Sequence, residues 1–236
     1  MKTLALLFLV LLPVFSPLCE AAADVVIHDL VAVKGEEVML KADTKGLFFG
    51  RGGELVEFFI DGKSIGKNLS GSGGVALKPY RVQRTGVQRV RVVSGRDEDE
   101  GLLLTLVKGS KIVFVDVESG LFVEGAPGRA KPGSRKALKA IGARYPVVLL
   151  QSGLVGTRAL KLWLRENEYE TCPVVAWNGG AIFDDVNRKG LKIGALIGGP
   201  HIIESAGKYK PPAFWFDRVE NAEKVKDWET LQKKLK

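Results

Sequence analysis

The stretch Lys111-Ile-Val-Phe-Val-Asp116-Val-Glu118-Ser119-Gly120 decides how this chain reads. Ile112 to Val115 form a short, continuous apolar run, the pattern of a strand buried on both faces. Side chains at i and i+2 of a strand point the same way, so Asp116 and Glu118 are expected to face one pocket. That pocket falls at the strand's carboxyl end, where open α/β sheets place their chemistry. Two carboxylates in that position suit phosphoryl transfer; an ordinary buried strand entering a polar turn is written with the same residues.

Downstream, short apolar runs at 147–150, 174–177 and 213–216 alternate with amphipathic stretches at about 134–141 and 156–167 and a final helix. A less regular helical region is expected at about 189–205, interrupted by Gly198-Gly199-Pro200. This alternation predicts a parallel sheet with crossover helices over 110–236. Upstream the period changes. Strand-like runs at 25–28, 37–42, 55–60, 75–79, 87–93 and 102–107 are separated by glycine turns, and Asp61-Gly62 is a strong hairpin signal. Six or seven strands in this length predict a small β-sandwich over 24–109. The charge run Arg96-Asp-Glu-Asp-Glu100 is expected to be a solvated hairpin tip, with a calcium loop as the alternative reading.

Met1-Lys2, an apolar run to Leu12, Pro13 and the small residues Ala21-Ala22-Ala23 predict a secretory signal peptide over 1–23, cleaved before Asp24. The chain is then expected to be secreted or periplasmic. The apolar run falls short of the roughly 20 residues that a membrane-spanning helix needs. Lipidation at Cys19 is disfavoured by Leu18, which stands where a small residue is required. With Cys19 removed, Cys172 remains alone, so no intramolecular disulfide is expected. His28 and His201 are isolated, which leaves little for a histidine-based triad or a zinc site. The net charge of +8 favours anionic partners, including association with an envelope or membrane surface. Specific nucleic-acid binding is not expected, because the basic residues are spread along the chain without a zinc-finger or helical basic motif. Nothing in the pattern sets an oligomeric state.

Val56-Glu-Phe-Phe-Ile-Asp-Gly-Lys-Ser-Ile-Gly66, followed by Gly74-Val-Ala-Leu and Gly86-Val-Gln-Arg-Val-Arg-Val, resembles bacterial immunoglobulin-like repeats. The resemblance implies a spacer or adhesive module. The second half resembles the haloacid dehalogenase-like phosphatase superfamily over residues 110–236, which implies a three-layer, Rossmann-like α/β domain with a minimal cap. On that resemblance Asp116 matches the aspartate nucleophile and Glu118 the general acid and base. Ser152, in Val147-Val-Leu-Leu-Gln-Ser-Gly153, matches the hydroxyl that binds the transferring phosphoryl group. Lys189, in Asn187-Arg-Lys-Gly190, matches the lysine that neutralises phosphate charge, with Lys192 and Lys208 as competitors. Asp217, in Ala213-Phe-Trp-Phe-Asp-Arg-Val-Glu-Asn221, matches a magnesium ligand, with Asn221 as a further polar group. Mg2+ would be held by Asp116, Glu118 and Asp217, with a backbone carbonyl near Glu118 among the contacts. Asp184-Asp185 is expected to lie in a polar loop after Gly179-Gly180, with extra metal ligands as the alternative reading.

The first motif departs from the family's Asp-x-Asp-Gly-Thr at three positions. Two functions are therefore expected. One is a secreted Mg2+-dependent phosphomonoester hydrolase working through an aspartyl-phosphate on Asp116, with a phosphorylated small molecule or lipid headgroup as substrate. The other is a degenerate domain of the same type, serving with its immunoglobulin-like domain as an envelope-associated binding module.

Overall fold

Along strand β3 (Glu37–Lys45), Val38, Leu40, Ala42 and Thr44 are buried while Glu37, Met39, Lys41 and Lys45 are exposed, the alternation of a sheet with one wet face. The computed structural model describes residues 24–46 and 49–235; the expected signal peptide lies outside them. The first eight strands form two sheets. One has the order β1-β3-β6, with β1 Asp24–Ile27 and β6 Val75–Arg81. The other has the order β2-β8-β7-β4-β5, with β2 Leu30–Val33, β4 Leu55–Ile60, β5 Lys63–Leu69, β7 Gly86–Ser94 and β8 Asp97–Leu106. Between them Val25, Ile27, Leu40, Phe58, Val90, Val92 and Leu103 make a common core. This is an immunoglobulin-like β-sandwich.

Only Arg96 of the charge run lies at the hairpin tip. Asp97 to Glu100 belong to β8, which pairs antiparallel with β7 from Ser94↔Asp97 onward. The hairpin tip is Gly95-Arg96, and the acidic side chains meet basic ones across the strands, Arg91 with Glu98 at 3.0 Å and Arg89 with Glu100 at 3.4 Å. Cross-strand charge pairs of this kind let a highly charged segment remain strand.

The remaining elements build a six-stranded sheet in the order β13-β12-β9-β14-β15-β16, with every neighbouring pair parallel. Its strands are β9 Lys111–Asp116, β12 Val147–Gln151, β13 Val174–Ala176, β14 Lys192–Ile197, β15 Ala213–Trp215 and β16 Glu223–Lys224. A small hairpin, β10 Phe122–Val123 with β11 Ala126–Ala130, follows β9. Helices α1 (Ser134–Gly142), α2 (Thr157–Glu166) and α5 (Trp228–Lys234) bury Leu138, Ile141, Leu160, Leu164 and Trp228 on one face of the sheet. Helices α3 (Ala181–Arg188) and α4 (Pro200–Ser205) bury Phe183, Val186, Ile202 and Ile203 on the other. Two expectations need correction here. Residues 189–205 are not one interrupted helix, because 192–197 form β14 beside β9, and Gly198-Gly199 is the strand-to-helix turn. Asp184 and Asp185 lie in α3 rather than in a loop.

The sandwich completes the second face. Val31, Val33, Leu104 and Leu106 point away from the sandwich core and pack with Ile112, Phe114, Val148 and Leu150 of the parallel sheet. Leu103 and Leu104 therefore serve different cores, which is why β2 and the end of β8 carry apolar residues at consecutive positions. Beside this contact, Lys161 of α2 is only 9% exposed and donates to the carbonyl of Ile27, the carbonyl of Glu100 at 2.9 Å and Asp99 at 3.2 Å. Asp29 stands 3.5 Å from the same ammonium and accepts from the backbone N–H of Leu102 at 2.9 Å and of Val174 at 2.8 Å. A sandwich carboxylate thus satisfies an amide of the parallel sheet's edge strand. Gly101 permits the approach, since a Cβ there would lie 2.7 Å from Asp29 Oδ1 and 3.2 Å from Lys161 Nζ.

Burial holds the Asp29 carboxyl above its ordinary value of 3.8, and Lys161 opposes that rise. A raised folded-state value means this group favours folding below 3.8 and loses that contribution as the pH climbs through the raised value. Lys161→Met is expected to cost about 3–5 kcal/mol at neutral pH, because it strands a buried carboxylate. Measured by denaturant unfolding, that loss should shrink as the pH is lowered through the raised value, where the folded protein's Asp29 takes up a proton.

Candidate functional site at the carboxyl ends of the parallel strands

Asp116 is the last residue of the central strand and has no exposed surface. A buried carboxylate must find donors, and this one finds them on its own turn and on β12. Oδ2 accepts from the Ser119 N–H at 2.7 Å and from the Ser119 hydroxyl, and Oδ1 accepts from the Ser152 hydroxyl. Residues Val117–Leu121 wind into a single π-type turn capped by Asp116. The Trp228 indole N–H donates to the Gly120 carbonyl at 3.2 Å, and the Lys131 N–H to that of Leu121 at 2.7 Å. The hairpin that follows is held to α2 by Trp163, whose ring lies edge-on to Phe122 at 4.6 Å and whose N–H reaches the Gly128 carbonyl at 2.6 Å.

Strand β14 supplies the third side. Its carboxyl end runs into Gly198-Gly199, and the Gly199 N–H donates to the Ser119 hydroxyl at 2.8 Å. One hydroxyl thereby accepts from β14 and donates to β9. The two glycines differ in what they permit. A Cβ at 198 would meet Ile202 at 3.0 and 3.1 Å and Asp116 Cβ at 3.2 Å, whereas at 199 its nearest neighbours are Ser119 Cβ and Oγ at 3.5 Å. Close packing therefore favours glycine at 198, whereas a Cβ at 199 would make only ordinary contacts from an ordinary extended backbone (φ −71°, ψ 177°).

The other expected residues are distributed unevenly. Glu118 is half-buried and its carboxylate lies against Gly153, with no hydrogen-bonding partner among the described residues. Lys189 is not at this site. It follows the carboxyl end of α3, which descends to the amino ends of the strands, and its ammonium binds the Val31 carbonyl at 2.8 Å, Asp185 at 3.1 Å and Glu36 at 3.5 Å. Lys192 opens β14 at that same end, and Lys208 pairs with Asp184 at 2.6 Å. Asp217 follows β15, with β14 intervening before β9, and its 77%-exposed side chain pairs with Lys224 at 3.1 Å. Asn221 is exposed in a turn at φ 62°. His28 pairs with Asp43, His201 lies edge-on to Trp177, and burial pushes the Cys172 thiol up to about 11, which removes it as a nucleophile.

Sequence reasoning missed one cation. Lys131, at the end of the hairpin, donates to the Ser119 carbonyl and stands over the Phe216 ring at 4.5 Å and the Trp215 ring at 5.5 Å. Desolvation lowers its pKa, opposed by the charges of Glu124 and Asp116. The only signal in the sequence is a lysine in the glycine- and proline-rich segment after Asp116.

Magnesium wants several hard oxygen ligands in an octahedral shell. Among the described residues no three of His, Cys, Asp and Glu group to hold a metal. Both oxygens of Asp116 are engaged by serine donors, and the strand end nearest to it presents glycine. The residues present do not fit Mg2+.

No family model and no curated protein matches the chain. Solved structures similar to part of it include the D0-D1 domain of intimin (14% identity, 39% of this chain and 56% of that one, TM-score 0.31). Others are the fibronectin(III)-like modules of Clostridium thermocellum CbhA (15%, 34% and 94%, 0.26) and a CARDB domain from Pyrococcus furiosus (12%, 36% and 85%, 0.29). The chain also matches 12% of an FMN-binding beta-glucuronidase from Facaelibacterium prausnitzii L2-6 and 12% of a polysaccharide lyase. TM-scores this low carry no weight, and the sandwich rests on its own strand order and core.

Gly198→Ala is expected to cost about 1–3 kcal/mol through overpacking against Ile202 and Asp116. Gly199→Ala should stay within about 0.5 kcal/mol of the wild type. Denaturant unfolding of the two variants side by side checks the contrast.

Proposed function

We propose that this chain is a secreted, envelope-associated binding module, in which a haloacid dehalogenase-like domain without turnover is joined to an immunoglobulin-like domain. The single observation that carries the reading is the state of Asp116: sealed from solvent, with both oxygens held by serine donors, while Lys189 and Asp217 are engaged elsewhere. The resemblance itself is supported by the parallel sheet with Asp116 at its central strand end, by Ser152 on the neighbouring strand end and by the compact hairpin that takes the place of a cap.

The binding surface is best sought on the α/β domain. Residues 110–236 hold 21 Lys and Arg against 14 Asp and Glu, so nearly all of the chain's +8 charge resides there. Such a surface attracts anionic groups, phosphorylated small molecules and lipid headgroups among them. Among the described residues no helix is long and apolar enough to cross a membrane, so attachment to an envelope would be peripheral.

A second reading, the Mg2+-dependent phosphomonoester hydrolase, is favoured by the contact between Asp116 and Ser152 and by the nearby Lys131 and Glu118. In that case the Ser119 hydroxyl would have to leave Asp116 to free an oxygen for attack, and Lys131 would screen the incoming phosphate.

Residues 24–236, incubated with a generic phosphomonoester and Mg2+, are expected to release phosphate no faster than Asp116→Asn. Chelator-sensitive release that disappears in Asp116→Asn would establish the hydrolase instead. The same protein should sediment with anionic vesicles, not with neutral ones, and detach at high salt.

A further inference from the structure

We infer that the groove between the sandwich and the α/β domain, at the amino ends of β12 and β13, binds a single acyl chain with an anionic head. This rests on the reading of the chain as a binding module for anionic groups, and gives that reading a place and a ligand class.

Val87 pairs with Leu104 across β7 and β8, so both side chains face the same way. Leu104 is packed against the parallel sheet and only 5% exposed, whereas Val87 is 50% exposed. The covering domain thus stops short of Val87, and a cavity of about 760 Å3 opens there. Val147, at the start of β12, and Cys172, just before β13, form its opposite wall. Its size and apolar floor are those of a small-molecule site, and such sites favour domain interfaces. It lies at the end of the sheet opposite Asp116, so the two sites are separate.

The charges point to the kind of ligand. Arg135, Lys136 and Lys139 of α1 line the cavity. Arg135 is matched by Glu168 at 2.6 Å, while Lys136 and Lys139 form no ion pair among the described residues. Glu170 borders both this cavity and a smaller one of about 300 Å3, where Arg89, Lys161 and Arg165 share the wall with it. Two lysines without counterions beside an apolar floor suit an anion attached to a chain. A free anion would leave the floor wet, and a cationic chain would be repelled by α1.

Calorimetric titration of residues 24–236 with dodecanoate should show one saturable site. Decanoate and octanoate should bind about fourfold more weakly for each CH2 removed. Dodecyltrimethylammonium and inorganic phosphate should not bind. A dodecanoate carrying a photoreactive diazirine on its chain should cross-link within the peptides that contain Val87, Val147 and Cys172. Val87→Glu, which places a charge on the floor, should abolish binding, and Lys139→Glu should weaken it about fivefold.

The inference is overturned if dodecanoate does not bind, binds without regard to chain length, or is matched by dodecyltrimethylammonium. A folded Val87→Glu that binds like the wild type would overturn it too. Should Val87→Glu fail to fold, the wild-type cross-links decide: adducts on the groove lining sustain the inference and adducts elsewhere overturn it. The two proposals fail separately. A chain that sediments with anionic vesicles but ignores dodecanoate keeps the binding-module reading and loses the groove, whereas chelator-sensitive phosphate release beside groove cross-links does the reverse.

Discussion

The rest of the architecture turns on a buried carboxylate that has to be satisfied without water. Asp116 lies at the end of the central strand under a π-type turn and two glycines, and its donors come from its own turn and from β12. Ser119 extends the network to β14 through the Gly199 N–H. Three adjacent strand ends are thereby joined around one anion. An unpaired buried carboxylate would be strongly destabilising, so the sequence around it is constrained: a hydroxyl at 119, a hydroxyl at 152 and the absence of a side chain at 198.

A second ionic arrangement settles how the two domains meet. Lys161 and Asp29, with Asp99, join α2, the β1–β2 connection and the edge of β13, while Val31, Val33, Leu104 and Leu106 continue the parallel sheet's core. The sandwich takes the place that a further helix layer would fill on that face. Lys189, bound to the Val31 carbonyl and Glu36, belongs to the same contact. Lys189, the lysine that the resemblance assigns to phosphate, is therefore spent, like Lys161, on holding the domains together.

Much of this was legible in the residues. Ile112 to Val115 and Val147 to Leu150 are continuous apolar runs because both faces of those strands are covered, and Asp116 and Ser152, which follow them, are hydrogen-bonded to each other. Strand β14 was not legible. Lys192-Ile-Gly-Ala-Leu-Ile197 contains glycine and alanine and few β-branched residues, and it fits a helix as readily as a strand. Overlooking it places β15 next to β9 and so brings Asp217 to Asp116, when β14 and Gly199 occupy that position. Lys189 failed for a topological reason, since residue order does not say at which end of a sheet a helix terminus falls. Lys131 was invisible because its place is set by a hairpin whose fold depends on Trp163 and Trp228, far away in sequence.

The most direct test of the account is the unfolding free energy of Asp116→Ala, measured by urea at neutral pH. As a clasp whose loss orphans two serine hydroxyls and an N–H, Asp116 should cost about 2–4 kcal/mol when removed. Active-site carboxylates held for chemistry commonly oppose stability. A variant as stable as the wild type, or more stable, would contradict the clasp and return Asp116 to the role of nucleophile.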